Sequence, residues 1–236
     1  MKKVLAAALI CAVSSFASWD YFEVIEDGKG EAEISFTQTR QGRVAESPEQ
    51  DLRVRYSPMK NLELMAQLGY TLGVRYQIIS VLSAGVDVSF PLPDTWGFTP
   101  NLQFHTKLTD ALSLGTNFQM TIYADNSTDE TLEKEKGLDA LAGLELDLTL
   151  GNSVIYVGCD FEKGLTNSKD SDGNEISRTK AEGRGLGITP IIGYTATPGN
   201  LAVGTYLAFG LGGKDADVNQ NENMTVTVGL KAAVKF

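Results

Sequence analysis

Five carboxylates, Asp139, Glu145, Asp147, Asp160 and Glu162, lie in two stretches where polar and apolar residues alternate. A spacing of two puts Glu145 with Asp147, and Asp160 with Glu162, on one face of an extended strand, and Asp139 is in phase with the first pair. Anions stacked on one wall add their fields, so such a stripe is suited to enriching cations. A second set changes sign along the chain: Glu31 and Glu33, Arg53 and Arg55, Glu63, Arg75, Asp87, then Lys107. That order fits pairing between neighbouring strands, worth about 0.2–1 kcal/mol per cross-strand pair. Lys231 and Lys235 add two basic positions near the end of the chain.

Catalytic chemistry has little to work with. His105 is the one histidine, in phase with Gln103 and Lys107, and a nucleophilic triad would have to assemble around it from distant strands. There is no GxSxG elbow and no HExxH pair, so no enzyme is expected and His105 is read as a hydrogen-bonding residue. The segment Asp170–Glu175, DSDGNE, invites comparison with a calcium loop. With Gly173 in the glycine position, however, the first ligand becomes Ser168 and the bidentate twelfth becomes Thr179, so two essential carboxylates are missing. It reads as a solvated turn, and no metal or cofactor is expected.

These side chains must be positioned by elements, and composition limits the choice. The chain has 236 residues with 24 glycines, 42% hydrophobic and 8% aromatic content, and a net charge of -10. It is too hydrophobic for disorder, too glycine-rich for a helical bundle and too acidic to bind a phosphate backbone, which removes nucleic acid as a partner. Lys2 and Lys3, the apolar run from Val4 to Val13 and the small residues Ser15 and Ala17 predict a secretion leader over residues 1–17. Removing Lys2 and Lys3 from the 20 basic residues leaves 18 against 30 acidic ones, a net of -12, with Cys159 as the remaining cysteine. No later stretch approaches 18 apolar residues, so a spanning helix is not expected. Residues 18–29 predict a periplasmic segment whose Trp19, Tyr21 and Phe22 sit at the membrane interface.

From residue 30 to 236 the alternation recurs twelve times. The last run spans thirteen residues without a break: Met224, Val226, Val228, Leu230, Ala232, Val234 and Phe236 share one face. Strands of about 9–11 residues cross a bilayer, whereas strands of soluble domains average five or six. A two-residue turn at Gly151 and Asn152 places Leu148 opposite Ile155, Leu146 opposite Val157 and Leu144 opposite Cys159, so two apolar faces assigned separately coincide. The same turn sets Glu145 opposite Gly158 and Asp160 opposite Gly143, with no inward base on either strand. Short connections elsewhere predict Tyr76 opposite Ala84, Phe104 opposite Leu114 and Arg55 opposite Glu63. Short and long connections alternate, and a tight turn near residues 69–73 preserves that parity.

The run ending in Phe236 resembles the C-terminal strand of Gram-negative outer-membrane β-barrels, which the barrel-assembly machinery recognises; the resemblance implies that Phe236 is part of an assembly signal. It covers residues 30–236 as architecture and matches no particular member. The expected fold is all-β: one antiparallel transmembrane barrel of twelve strands with short periplasmic turns and long outer loops. The resemblance also implies a porin-like role, passive diffusion of small hydrophilic solutes or ions, and the carboxylate stripe lends it a cation preference. The competing expectation is a non-conducting barrel that displays loops for adhesion or envelope stability. Expected partners are outer-membrane lipid, lipopolysaccharide, the assembly machinery and the solutes themselves.

Overall fold

The computed structural model describes residues 24–41, 44–68, 71–90, 95–125, 137–165, 168–169, 175–176, 186–211 and 224–236. Twelve antiparallel strands follow in chain order: β1 Gly30–Gln41, β2 Glu49–Met59, β3 Leu62–Gln67, β4 Thr71–Ile79, β5 Leu82–Ser89, β6 Thr95–Lys107, β7 Leu112–Asp125, β8 Gly137–Leu150, β9 Ser153–Gly164, β10 Gly187–Ala196, β11 Leu201–Gly210 and β12 Thr225–Lys235. Each pairs with its neighbours in sequence, and β12 returns to pair with β1 from Glu31↔Lys235 to Gln41↔Thr225. Closure satisfies the backbone of every strand within the sheet, which is what a chain in hydrocarbon requires.

The seam is finished by the last residue. The Gly30 N–H donates to the Phe236 carbonyl at 2.7 Å, and the Phe236 N–H donates back at 2.9 Å. A side chain at residue 30 would collide with the Phe236 ring, since an added Cβ would lie 2.4 Å from its Cε2. Glycine therefore lets the terminal ring lie on the first strand.

The two faces invert the order of a soluble protein. Leu52, Val54, Tyr56, Leu102, Phe104, Leu144, Ile192, Val228 and Leu230 are exposed on the outside, while Glu31, Arg55, Glu63, His105, Asn117, Glu145 and Lys231 are buried on the inside. The alternation read in the sequence is thus an apolar belt around a polar interior, the outer-membrane arrangement. Twelve strands about 4.8 Å apart and tilted by about 40° enclose a cylinder about 24 Å across at the backbone. Inward side chains leave a lumen narrow enough for arginine, lysine and tyrosine to fill large parts of it. No helix among the described residues is long and apolar enough to cross a membrane.

Most of the expected register holds. Leu148↔Ile155, Leu146↔Val157, Leu144↔Cys159, Glu145↔Gly158 and Asp160↔Gly143 are partners, as are Tyr76 and Ala84. Gly151 has φ +61°, the left-handed first central residue of a two-residue hairpin. Gln67 pairs with Thr71, which confirms two strands rather than one between residues 62 and 79. Two pairings are corrected. Phe104 faces Thr116, and Leu114 faces Thr106, because Lys107 is opposite Ser113 and the Leu108 N–H donates to the Leu112 carbonyl: a connection of three residues, 109–111, sets each partner two residues further on than expected. Arg55 faces Met65 because β2 continues to Met59 and the connection to Leu62 is the two residues 60–61 rather than 57–61, with a bulge between Tyr56 and Met59 taking up one residue of the register; Glu63 pairs with Arg75 on its other side. In the long connection after β9, Ser168–Lys169 pairs with Glu175–Ile176. Asp170 and Asp172 lie outside the described residues, as do Trp19, Tyr21 and Phe22.

Candidate functional site: a lumen with two charged walls

The wall formed by β1–β6 carries the residues of alternating sign. Glu31 is opposite Arg55 and Glu33 opposite Arg53, because β1 and β2 pair with their inward residues in phase. Arg55 Nη2 donates to Glu31 Oε1 at 2.8 Å, and its Nη1 lies 3.7 Å from Glu63 Oε2. Arg75 Nη2 donates to Glu63 Oε1 at 2.9 Å, and Nη1 donates to Gln103 Oε1. Glu63 is therefore shared between two guanidiniums, and the shifted register still brings Arg55 and Glu63 together along a diagonal. Asp87 reaches across Gly73, where a Cβ would be 2.2 Å from Asp87 Oδ1, and accepts from Asn101 Nδ2 at 3.2 Å. Among these side chains lies a polar cavity of about 40 Å³, lined by Arg53, Arg55, Glu63, Arg75, Asp87, Asn101 and Gln103. It is large enough for two or three waters.

His105 is buried beside this wall, and its Nε2 donates to the Ser80 carbonyl at 2.7 Å. The carbonyl can only accept, so the proton is on Nε2. Lys107 is exposed at the end of β6, and Lys235, opposite Glu31, is exposed at the end of β12.

The segment before β1 also enters this region. Val24 is 8% exposed, and the Ile25 N–H donates to Glu63 Oε2 at 2.9 Å. The Gly28 N–H donates to the Ser57 carbonyl at 2.9 Å. Residues 24–28 thus form a strap across the end of β2 and β3, at the short-turn end of the barrel. Glu63, an inward residue, holds it there.

The facing wall, β7–β12, is built differently. Glu145 and Asp160 are buried, and Asp139, Asp147 and Glu162 are half-buried, all on the inward phase of β8 and β9. Glycines stand beside Glu145 on both sides, Gly115 on β7 and Gly158 on β9. Asn117, 2% exposed, has neither side-chain amide atom hydrogen-bonded. Its partner Gly143 is also the partner of Asp160, so amide and carboxylate flank one glycine.

The sequence reading left two large inward residues out of this wall, Tyr156 and Tyr206. Asp147, Tyr156, Gly193, Tyr206, Gly229 and Thr37 are successive cross-strand partners, forming one row around the wall. Each ring lies over the neighbouring glycine. An added Cβ would be 2.1 Å from Tyr156 Cζ at Gly193 and 2.0 Å from Tyr206 Cε1 at Gly229. With Ile191 and Ala208 the two rings form the buried apolar patch of the lumen. The signal was present in the phase: Tyr156 alternates with Gly158 and Asp160, and Tyr206 with Gly204 and Ala208.

A base does reach this wall. Lys231 comes from β12, its backbone opposite Gly204, and places Nζ 5.2 Å from the centre of the Tyr156 ring. It lies within electrostatic range of Glu145 and Asp147. The expectation of two strands without an opposing base is correct for β8 and β9 themselves, but incomplete once a long side chain spans several strands. Cys159 keeps the outward phase, paired with Leu144.

The sequence profile of the family described as putative MetA-pathway of phenol degradation matches residues 79–219. No curated protein matches the chain in sequence. Among solved structures, an outer-membrane channel from Pseudomonas putida F1 is similar at TM-score 0.69 and 13% identity, covering 93% of this chain and 99% of that one. The NanC porin is similar at TM-score 0.61 and 9% identity, with 87% and 100% covered. The translocator domain of the autotransporter NalP from Neisseria meningitidis follows at TM-score 0.57 and 11% identity, with 100% and 98% covered. At these identities the likeness is one of fold: a Gram-negative outer-membrane β-barrel.

Proposed function

The chain belongs to the family described as putative MetA-pathway of phenol degradation, and from that membership and its barrel fold we propose that it is an outer-membrane channel for passive diffusion of small hydrophilic solutes or ions, with a preference for cations. The observation that carries this reading is the closed barrel with charged residues of both signs inside and an apolar belt outside. Burying so many charges is expensive unless they pair or face water. On β1–β6 Glu31, Arg55, Glu63 and Arg75 pair with one another, whereas on the other wall Glu145 stands between two glycines, Asp160 stands beside one, and Lys231 is a base that reaches in from β12. Inward acids outnumber inward bases, and a narrow pore with low-dielectric walls concentrates their field on passing ions. Two channels or porins among the similar structures, the one from Pseudomonas putida F1 and NanC, support the role, and solutes of phenol's size fall within the class.

Reversal potentials across a salt gradient in planar bilayers test the proposal. Cation preference is expected at low salt, fading as the Debye length shrinks from about 30 Å at 0.01 M to about 3 Å at 1 M. A Glu145→Gln, Asp147→Asn, Asp160→Asn variant should lose most of it. Anion preference in the unmodified protein would overturn the acidic-wall reading, and a folded barrel that passes no current would favour a structural, loop-displaying role.

A further inference from the structure

Lys231 is built into the lumen in a manner no ordinary surface lysine shares. It is 5% exposed, its backbone is paired on both sides, with Gly204 of β11 and Ser35 of β1, and its stem lies along the wall over Gly204. An added Cβ at Gly204 would be 2.9 Å from Lys231 Cε, so a side chain there would push the lysine off its course. The ammonium ends 5.2 Å from the Tyr156 ring centre, and that ring is itself laid over Gly193. Two glycines thus clear a channel in the wall, one for the aliphatic stem and one for the ring on which the charge rests. Tyr156 is the direct cross-strand partner of Asp147, and Glu145 is two residues from Asp147 on the same face. The held cation consequently sits beside the carboxylates to which ion selectivity was assigned above.

We propose that Lys231, seated on Tyr156, is a specificity-determining residue of the lumen: a tethered cation that offsets part of the acidic wall and sets how strongly the channel prefers mobile cations over anions. The inference rests on the channel reading. Seating matters because a lysine free to swing would average its field over the lumen, whereas one fixed by ring and glycines acts always on the same two carboxylates. Tyr156 is then a positioning residue that acts through Lys231. The mobile ions concerned are small and monovalent, because they respond to the net field of the wall without needing a coordination sphere.

The test is a set of reversal-potential measurements on refolded full-length protein, with potassium chloride as the only salt and the heat-dependent gel shift of a folded barrel as the check on each variant. Lys231→Met keeps the length of the side chain over Gly204 and removes the charge. It should raise the cation-to-anion permeability ratio roughly twofold or more at about 0.01 M salt, where screening is weakest. Lys231→Gln is the second neutral variant and should shift the ratio the same way, while Lys231→Arg should keep the unmodified value. Tyr156→Leu keeps every charge but removes the seat, and should give part of the shift seen with methionine. A conducting barrel whose ratio is the same in all four variants overturns this inference alone. A conducting barrel whose ratio falls in the neutral variants overturns it as well. Silence of the unmodified protein overturns the channel reading and this inference with it.

Discussion

Glu63 shows how much one inward residue can organise. Its two oxygens serve Arg75, Arg55 and the Ile25 N–H, so three separate pieces of chain meet on one carboxylate. Removing it leaves two guanidiniums in a nearly dry part of the lumen, and breaking a buried pair from one side costs about 3–5 kcal/mol. Glu63→Ala should therefore lower the unfolding free energy of the refolded barrel by about 3 kcal/mol in urea titrations, toward the lower end because the 40 Å³ cavity can admit water. Glu63→Gln keeps an acceptor for Ile25 and should cost less. Equal costs for the two would mean that the loss of charge accounts for the whole effect and that the retained shape and acceptor contribute nothing. The sequence made the pairing legible through the alternation of sign from strand to strand. It did not reveal the strap, because a backbone N–H leaves no trace in residue type, nor the diagonal geometry, because the β2–β3 register is set by a two-residue turn at Lys60 and Asn61 and a bulge beside Pro58, and no glycine marks either.

At the scale of elements, hairpin turns and faces were readable and lateral packing was not. A two-residue turn fixes register by arithmetic, which is why the β8–β9 pairs were assigned correctly residue by residue. Phase along each strand followed from the period of two. Packing across three or four strands depends on which inward positions are empty, and this is a property of neighbouring strands that are far apart in sequence. The row Asp147, Tyr156, Gly193, Tyr206, Gly229 draws on five strands, β8 through β12, spread over more than eighty residues. Each glycine there is a place for a ring. Gly229→Val should force the Tyr206 ring away from its bed, at a cost of about 1–3 kcal/mol typical of overpacking. A lowered urea midpoint with unchanged slope is the expected result. Tyr206→Ala in the same background should recover part of the loss, because the clash is then gone; no recovery would show that valine strains the backbone rather than the ring.

At the scale of the whole molecule, the inside-out distribution of polarity makes the strongest demand on the surroundings. Leu144 is 41% exposed near the middle of β8, between Thr116 of β7 and Cys159 of β9. Gln119, on the neighbouring β7, points the other way, into the lumen, opposite Asn101 and Leu141. In water the first position would be the easier place for a charge, since it is open, and the second the harder, since it is crowded. In a bilayer the order reverses: arginine at the lipid face near the midplane costs about 2–4 kcal/mol, while a lumen position offers water and carboxylates. Leu144→Arg should therefore destabilise the barrel refolded in lipid vesicles by about 2–4 kcal/mol, and Gln119→Arg by clearly less. Repeating the pair in short-chain detergent should shrink the Leu144→Arg penalty, because a micelle lets the guanidinium reach water, and leave Gln119→Arg where it was. A larger cost at Gln119 than at Leu144 in lipid would mean that the apolar face is not the lipid face, and the assignment of every inward charge would have to be reversed with it.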